Sequence, residues 1–376
     1  MQARNIPLFK VFMSEDVLEP VNKVLMSGYI GQGPQVDEFE RLLGDFIGNK
    51  RCVTLNSGTS ALHLALHMIK DKEVAWGRDE VLTTPLTCTA TNFPILANGL
   101  KIKWVDVNPH TCNVDLNDLR RKINKKTLAI MVVHWGGLPV NLTELKDIQD
   151  ECETLYGFRP QIIEDCAHAM GSTFKGRRLG NHGNFCIYSF QAIKHLTTGD
   201  GGLLVCPTDE FYSRAKLLRW YGLDRTSSAD FRCEQNIQEW GFKFHMNDIA
   251  ATIGIHNIKH LPRIIANHQS NASYYRSALQ GLDVTLMDAL PDRVSADWIF
   301  TIRVQRRDDF IVAMKGRGIG VGRVHDRNDK HTCLKEFRVP LPGTDKTCKE
   351  MVCLPCGWWI TPEDREYVVE CIKEGW

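Results

Sequence analysis

The first two hundred residues alternate short apolar runs with segments of helical periodicity. After Asn56–Thr59, apolar side chains recur at positions 62, 64–66, 68 and 69 with the spacing of a buried helix face. The strand-like runs are Glu80–Thr84, Ile102–Val107, Leu128–Val133, Gln161–Asp165, Phe185–Phe190 and Gly202–Cys206. Because strands that alternate with helices form a sheet covered by helices, the sequence predicts an α/β fold with a mainly parallel sheet. Ligands of such sheets bind at the carboxyl ends of the strands.

The pattern changes after residue 254. A long helical stretch follows, and then fewer strands, which we predict at Val284–Met287 and Trp298–Val304, with a final helix from about Pro362. We therefore predict a large domain over residues 1–254 and a smaller C-terminal α+β domain over residues 255–376.

Composition argues against several classes of partner. The 376 residues carry a formal net charge of +1. This leaves no broad field to attract nucleic acid or an anionic membrane. The sequence starts without an apolar signal core and contains no apolar stretch long enough to span a membrane. We expect a cytoplasmic protein that holds any anionic ligand through local groups.

The thirteen cysteines are scattered through apolar segments, which is typical of reduced, buried thiols. Cys353 and Cys356 form the one CxxC pair, and Trp358 and Trp359 follow it. A single pair lacks the second half of a zinc site, so we favour a packed turn over a redox or metal role. No metal site is predicted.

A candidate phosphate site lies at Ser57-Gly58-Thr59, between a strand-like run and a strong helix. Free N–H groups at a helix N-terminus bind anions, although an ordinary helix cap by Ser57 or Thr59 explains the same residues. Ser189 supplies a second hydroxyl, five residues before Lys194.

Lys194 lies between an apolar run and the glycine-rich turn Gly199–Gly202. A lysine there either reaches the surface or has a chemical role. Glu164 and Asp165 end an apolar strand, and only one of them can face a given side of the sheet. An amine, a buried carboxylate and a phosphate cradle together match the needs of pyridoxal phosphate, whose ring nitrogen requires an acid. His168 is placed to contact such a ring, or it is a structural residue.

Four ordered motifs resemble the DegT/DnrJ/EryC1/StrS family of pyridoxal phosphate-dependent sugar aminotransferases, which have the aspartate aminotransferase fold type I. The resemblance runs from Tyr29 to the C-terminus. It implies a homodimer with shared active sites, L-glutamate as amino donor, and a nucleotide-linked ketosugar as acceptor. The motifs are Asn56–Leu62, Glu164–Gly171, Ser189–Gly202 and Gly241–Asp248.

By position, the resemblance implies that Lys194 is the lysine that forms the Schiff base and that Asp165 is the partner of the pyridine nitrogen. His168 matches a residue near the ring hydroxyl. Beside the phosphate, the resemblance places Ser57, Gly58, Thr59 and Ser189.

Two positions depart from the family pattern. Lys243 stands where many members have an asparagine that reaches the phosphate from the neighbouring subunit, and lysine keeps an anion contact there. Cys88 stands where many relatives stack an aromatic ring on the cofactor. We expect Cys88 to be a small, buried thiol, so His168 or another side chain must cover the ring.

Candidate sugar contacts are Tyr29, His325 and Arg327, the last two within a donor-rich segment that also reads as a solvated loop. The commonest acceptor among the resembling proteins is a 4-keto-6-deoxyhexose, which we expect here. Two alternatives remain. A sugar dehydratase or deoxygenase of the same family has histidine in place of the lysine, and His195 follows Lys194 directly. A non-catalytic regulatory protein of this fold is the other, although it would not need to keep these motifs.

Overall fold

The computed structural model describes residues 4–226 and 232–376. A seven-stranded sheet lies at the centre, in the order β1-β9-β8-β5-β4-β2-β3. Neighbouring strands from β8 through β5, β4 and β2 to β3 are parallel, whereas β9 is antiparallel to both β8 and β1. The predicted mainly parallel α/β fold is therefore confirmed. The strands are β1 (Cys52–Leu55), β2 (Glu80–Thr83), β3 (Lys101–Trp104), β4 (Thr127–Val133), β5 (Gln161–Asp165), β6 (Thr173–Phe174), β7 (Arg177–Arg178), β8 (Phe185–Ser189), β9 (Gly202–Val205), β10 (Thr285–Leu286), β11 (Arg293–Val294), β12 (Phe300–Arg303) and β13 (Met351–Leu354).

Helices pack on both faces of this sheet and leave the central strands buried on both sides. That double covering explains why β4, with seven consecutive buried residues, reads as a continuous apolar run. The helices are α1 (Leu18–Ser27), α2 (Pro34–Ile47), α3 (Gly58–Ala75), α4 (Thr89–Ala97), α5 (Leu116–Lys122), α6 (Leu142–Tyr156), α7 (Asp209–Leu218), α8 (Asp248–Asn257), α9 (Leu261–Ala278), α10 (Arg307–Gly316), α11 (Pro342–Glu350) and α12 (Pro362–Lys373).

The C-terminal part has its own antiparallel sheet, β10-β12-β13, and its own apolar core. Tyr275, Phe300, Phe310 and Val368 are buried there together. A third small sheet pairs β11 with β6 of the N-terminal part. The division at residues 254 and 255 stays a prediction, and it falls inside α8. Among the described residues, no helix combines the length and the apolar character needed to cross a bilayer.

The sheet brings three loops to one edge. The parallel strands β5 and β8 end at the same side, and β1 points the same way because it pairs antiparallel with β9. The turn into α3, the segment after Asp165 and the β8–β9 loop that carries Lys194 therefore share the carboxyl edge.

Gly202 fixes the close approach of these loops. A Cβ at this position would lie 2.3 Å from the carbonyl carbon of Ser57 and 2.4 Å from the nitrogen of Gly58. Backbone atoms cannot give way as a flexible side chain can. We expect Gly202→Ala to lower the free energy of unfolding by about 3 kcal/mol, measured by urea denaturation. Gly316→Ala is the control, because an added Cβ there meets nothing within 4 Å. Equal stability of the two variants would contradict this packing argument.

Candidate active site

A cavity of about 380 Å³ opens at the carboxyl edge of the large sheet. It is lined by residues of the three loops, by the segment that leads into α4, and by two residues of the C-terminal part, Trp298 and His325. The structure brings together in it nine of the residues that the sequence singled out: Ser57, Gly58, Thr59, Cys88, Asp165, His168, Ser189, Lys194 and His325.

The N-terminus of α3 forms one wall. Ser57 caps the helix, and its Oγ accepts a hydrogen bond from the N–H of Ser60 at 3.0 Å. The N–H groups of Gly58 and Thr59 precede the first turn of intrahelical bonding and are free to bind an anion. A Cβ on Gly58 would lie 3.3 Å from that of Ser189, so glycine lets the two segments meet. The same motif can therefore cap α3 through Ser57 and bind an anion through the N–H groups of Gly58 and Thr59.

Asp165 faces the cavity from the end of β5, and Glu164 faces the opposite side. Oδ2 of Asp165 accepts a hydrogen bond from Thr91 Oγ1 at 2.7 Å, and Oδ1 accepts one from the N–H of Ala167 at 3.0 Å. Burial raises the pKa of Asp165, while these two donors and the Lys194 amine act against that rise. Glu164 accepts instead from Asn184 and pairs with His134. The strand alternation thus separates the two acids.

Lys194 carries its amine into the same cavity. Burial lowers the pKa of Lys194 to about 8, against the opposing effects of Asp165 and Cys88. A lysine with that pKa is partly neutral near physiological pH, which nucleophilic attack requires. Nζ lies 3.7 Å from the centre of the Trp298 indole. The next residue, His195, points elsewhere and hydrogen-bonds the carbonyl of Ala296 at 3.0 Å.

His168 lies in a stack of rings. It stacks on Trp298 with 4.0 Å between ring centres, and its Nε2 is 3.3 Å from Nε2 of His325. The N–H of Gly136 donates to Nδ1 of His168, which places the proton of the neutral ring on Nε2. Burial lowers the pKa of His168 far below its usual value and that of His325 to about 3. Both rings are neutral, and His168 donates to His325.

Cys88 differs from its expectation. It is exposed and lines the cavity at the start of α4, whereas the sequence predicted a buried thiol. The extended backbone of Cys88, which precedes the helix, keeps the side chain out of the packed face of α4. Its small side chain leaves room beside the cavity that an aromatic residue would fill.

Three predicted contacts lie outside the cavity lining. Tyr29 is exposed and borders a separate groove beside Gln32 and Arg225. Arg327 is engaged by Asp329 and Asp345, with its Nη2 at 2.6 Å from Asp329. Lys243 is exposed. Their roles stay predictions.

Asn328 fastens the segment that carries His325 to the cavity wall. Its side chain donates to the carbonyl of Thr87 at 2.6 Å and accepts from the amide of Asn92 at 3.1 Å. Its own N–H donates to the carbonyl of Pro85 at 2.7 Å. The sequence offered no signal for this contact, because the two segments are more than two hundred residues apart. Thr91 and Trp298 were missed because they also contact site residues that are distant in the sequence.

One buried group of side chains has the donors of a metal site: His134, Glu164 and Cys166. The N–H of Val140 donates to Nδ1 of His134, so Nε2 carries the proton and donates to Glu164 at 2.9 Å. Ligation at Nε2 would require loss of that proton, and these atoms form a satisfied hydrogen-bonded pair instead.

Both thiols of the CxxC pair are buried in the C-terminal part. Cys356 hydrogen-bonds the carbonyl of Asp297 at 3.1 Å. Burial raises the pKa of Cys353 to about 12, which keeps that thiol protonated. The geometry is that of packed structural cysteines.

The whole chain is similar to known aminotransferases. The DegT/DnrJ/EryC1/StrS aminotransferase family matches residues 12–373. AtS13 from Actinomadura melliaura is 48% identical over 100% of both chains, with a TM-score of 0.97. The sugar aminotransferase CalS13 from Micromonospora echinospora is 45% identical over 99% of this chain and 100% of that chain, with a TM-score of 0.94.

A more distant structure has been solved in several states. Spr1654 from Streptococcus pneumoniae has apo, PMP and PLP forms. The PLP form is 26% identical over 99% of this chain and 98% of that chain, with a TM-score of 0.90. The family match over nearly the whole length confirms the resemblance seen in the four motifs. This chain belongs to the DegT/DnrJ/EryC1/StrS aminotransferase family.

Proposed function

We propose that this protein is a pyridoxal phosphate-dependent sugar aminotransferase that moves the amino group of L-glutamate to a nucleotide-linked keto-deoxysugar, of the 4-keto-6-deoxyhexose class. The observation that carries the proposal is the common cavity of Lys194, Asp165 and the N-terminus of α3. An amine of lowered pKa, a buried carboxylate and an anion cradle are the groups that pyridoxal phosphate chemistry requires.

The residues present fit pyridoxal phosphate. The N–H groups of Gly58 and Thr59 and the hydroxyl of Ser189 would hold its phosphate, Asp165 its ring nitrogen, and Lys194 its aldehyde carbon. His168 would contact the ring. When bound, the cofactor supplies a protonated ring that takes up the electron pair of the C–H bond broken beside the transferred nitrogen.

Each residue then has a definite task. Thr91 and the N–H of Ala167 hold the Asp165 carboxylate, which would keep a proton on the ring nitrogen of the bound cofactor. The Nζ of Lys194 accepts a proton from carbon and returns it, and its lowered pKa suits both directions near neutral pH. Burial of both groups strengthens their electrostatic effect on the reacting atoms.

The acceptor would contact His325, which lines the cavity from the C-terminal part of the chain. His168 donates to Nε2 of His325, so the neutral His325 ring carries its proton on Nδ1 and can donate it to a sugar oxygen. Arg327 lies two residues further but is held by Asp329 and Asp345. A contact from Arg327 to a diphosphate would require release of these carboxylates.

A homodimer would complete the site. Lys243 is exposed. Its backbone pairs with that of Trp220 in an isolated β-bridge, and Trp220 lines the groove that Tyr29 borders. In a dimer the Lys243 ammonium of one subunit would supply a cation to the phosphate held by the other. A cytoplasmic location fits a protein that uses glutamate and nucleotide-linked sugars.

Two features favour amino transfer over the alternatives. Lys194 lines the cavity, whereas His195 does not, which argues against a dehydratase with histidine at that position. A regulatory protein would not need an acid held by two donors beside an amine of lowered pKa.

The test combines a covalent readout with turnover. Borohydride treatment of the holoenzyme should fix the cofactor on Lys194, seen as a mass increase of the peptide that contains it. A panel of UDP-, dTDP- and GDP-linked 3-keto and 4-keto sugars, assayed with glutamate, should then reveal one acceptor that discharges the pyridoxamine form. Labelling of no lysine, or no discharge by any ketosugar, would overturn the proposal.

A further inference from the structure

The indole of Trp298 makes two contacts with the segment that carries Lys194. Its ring centre lies 3.7 Å from Nζ, and its Nε1–H donates to the carbonyl of Ile193, the residue before the lysine, at 2.9 Å. Trp298 is 2% exposed and stands just before β12, in the C-terminal part of the chain. One side chain therefore engages both the backbone and the amine of the lysine segment.

The amine lies directly over the face of the indole. In residues 4–226 and 232–376, Lys194 Nζ forms no ion pair and donates no hydrogen bond to a side chain. Asp165 acts on the amine through its charge. The histidines around it, His168 and His325, are kept neutral by burial.

The indole itself is fixed in place. Phe9 stacks on it at 5.0 Å between ring centres and His168 at 4.0 Å. Rotation of the ring would break both stacks and the hydrogen bond to Ile193. The π face is thus a preorganised surface that does not need to move when the amine arrives.

We propose that Trp298 is a positioning residue for Lys194, whose indole face holds the free amine and stabilises the ammonium formed each time Nζ accepts a proton. This inference rests on the proposed function. A cation over tryptophan in a desolvated site gains enough to change the protonation equilibrium roughly tenfold. The contact stabilises the ammonium more than the neutral amine, so its effect appears in proton transfer more than in substrate binding.

The first measurement does not depend on turnover. In the enzyme loaded with pyridoxamine phosphate, Lys194 has a free amine, and its competitive labelling by acetic anhydride can be followed against pH by peptide mass spectrometry. Trp298→Leu should shift the labelling curve of Lys194 towards lower pH by about one pH unit, a tenfold change in proton concentration. Trp298→Phe keeps a weaker π face and should shift the curve by about half a pH unit, a threefold change. Trp76→Leu removes an exposed tryptophan that does not line the cavity, and should leave the curve in place.

The second measurement distinguishes the effect of the indole face of Trp298 from the effect of its Nε1–H hydrogen bond to Ile193. In single turnovers from the pyridoxamine form, Trp298→Leu should lower kcat roughly tenfold with little change in KM, and Trp298→Phe should recover most of the rate. Equal losses in the two variants would assign the effect to the lost Nε1–H bond and overturn the proposal. So would a labelling curve of Trp298→Leu that coincides with that of the unaltered enzyme.

The outcomes also distinguish this inference from the proposed function. If borohydride still labels Lys194 and turnover is normal in Trp298→Leu, only the role of Trp298 is wrong. If borohydride labels no lysine in the unaltered holoenzyme, the proposed function itself is wrong. Should Trp298→Leu fail to fold, the threefold shift expected for Trp298→Phe decides the question alone.

Discussion

Lys194→Ala is expected to lower the rate of complete transamination by at least about 10⁴-fold, because it removes both the amine that holds the cofactor and the group that moves the proton. The cavity walls are expected to stay in place, since the side chain projects into the cavity and not into the packed core. Turnover with glutamate and the identified ketosugar, together with the absorption of the bound cofactor, measures the loss.

Two controls make this result specific. Lys315→Ala, on the exposed surface of α10, should leave the rate unchanged. Added methylamine should restore part of the activity of Lys194→Ala, because a small base can enter the space that the side chain leaves. A Lys194→Ala protein with an undiminished rate would show that another residue performs the chemistry.

Asp165→Asn is expected to lower kcat about 10³-fold, because an amide of the same shape cannot hold a proton on the ring nitrogen through charge. The substitution keeps the volume, so binding of the cofactor should weaken only moderately. Glutamate deuterated at its α-carbon should show a larger isotope effect with the variant, since proton transfer becomes the slowest step.

Glu164→Gln is the matched control for Asp165→Asn. The two acids are adjacent in β5 but lie on opposite faces of the sheet. Asn184 and His134 donate to different oxygens of Glu164, and glutamine can accept at only one of these positions. We expect a loss of about 2 kcal/mol in the free energy of unfolding with a nearly normal rate. The reverse pattern, a rate defect for Glu164→Gln alone, would move the acid role to Glu164.

The sequence was most informative where the chemistry lies within one segment. The motif around Ser57, the strand that ends in Asp165 and the loop of Lys194 all belong to the carboxyl edge that a parallel sheet predicts. Periodicity alone could not choose between Glu164 and Asp165, because both are buried. The hydrogen bonds of each acid separate their roles.

Contacts between segments that are distant in the chain could not be predicted from the sequence. Thr91 on α4 orients Asp165, and Trp298 meets Lys194 from more than a hundred residues away. Neither residue belongs to a motif that pattern reading can detect. The exposure of Cys88 was missed for a related reason, since it depends on the helix start and not on the apolar run that follows.

The anchoring of Asn328 has a consequence for how the protein could be re-engineered. Its three hydrogen bonds fix the end of the His325 segment to the wall of the cavity, independently of the residues between them. Exchange of residues 323, 324, 326 and 327 around a retained His325 would keep both this anchor and the contact of His325 with His168. Under the acceptor role proposed for His325, a library confined to these four positions would sample acceptor preference without removing a ring that stacks near Lys194.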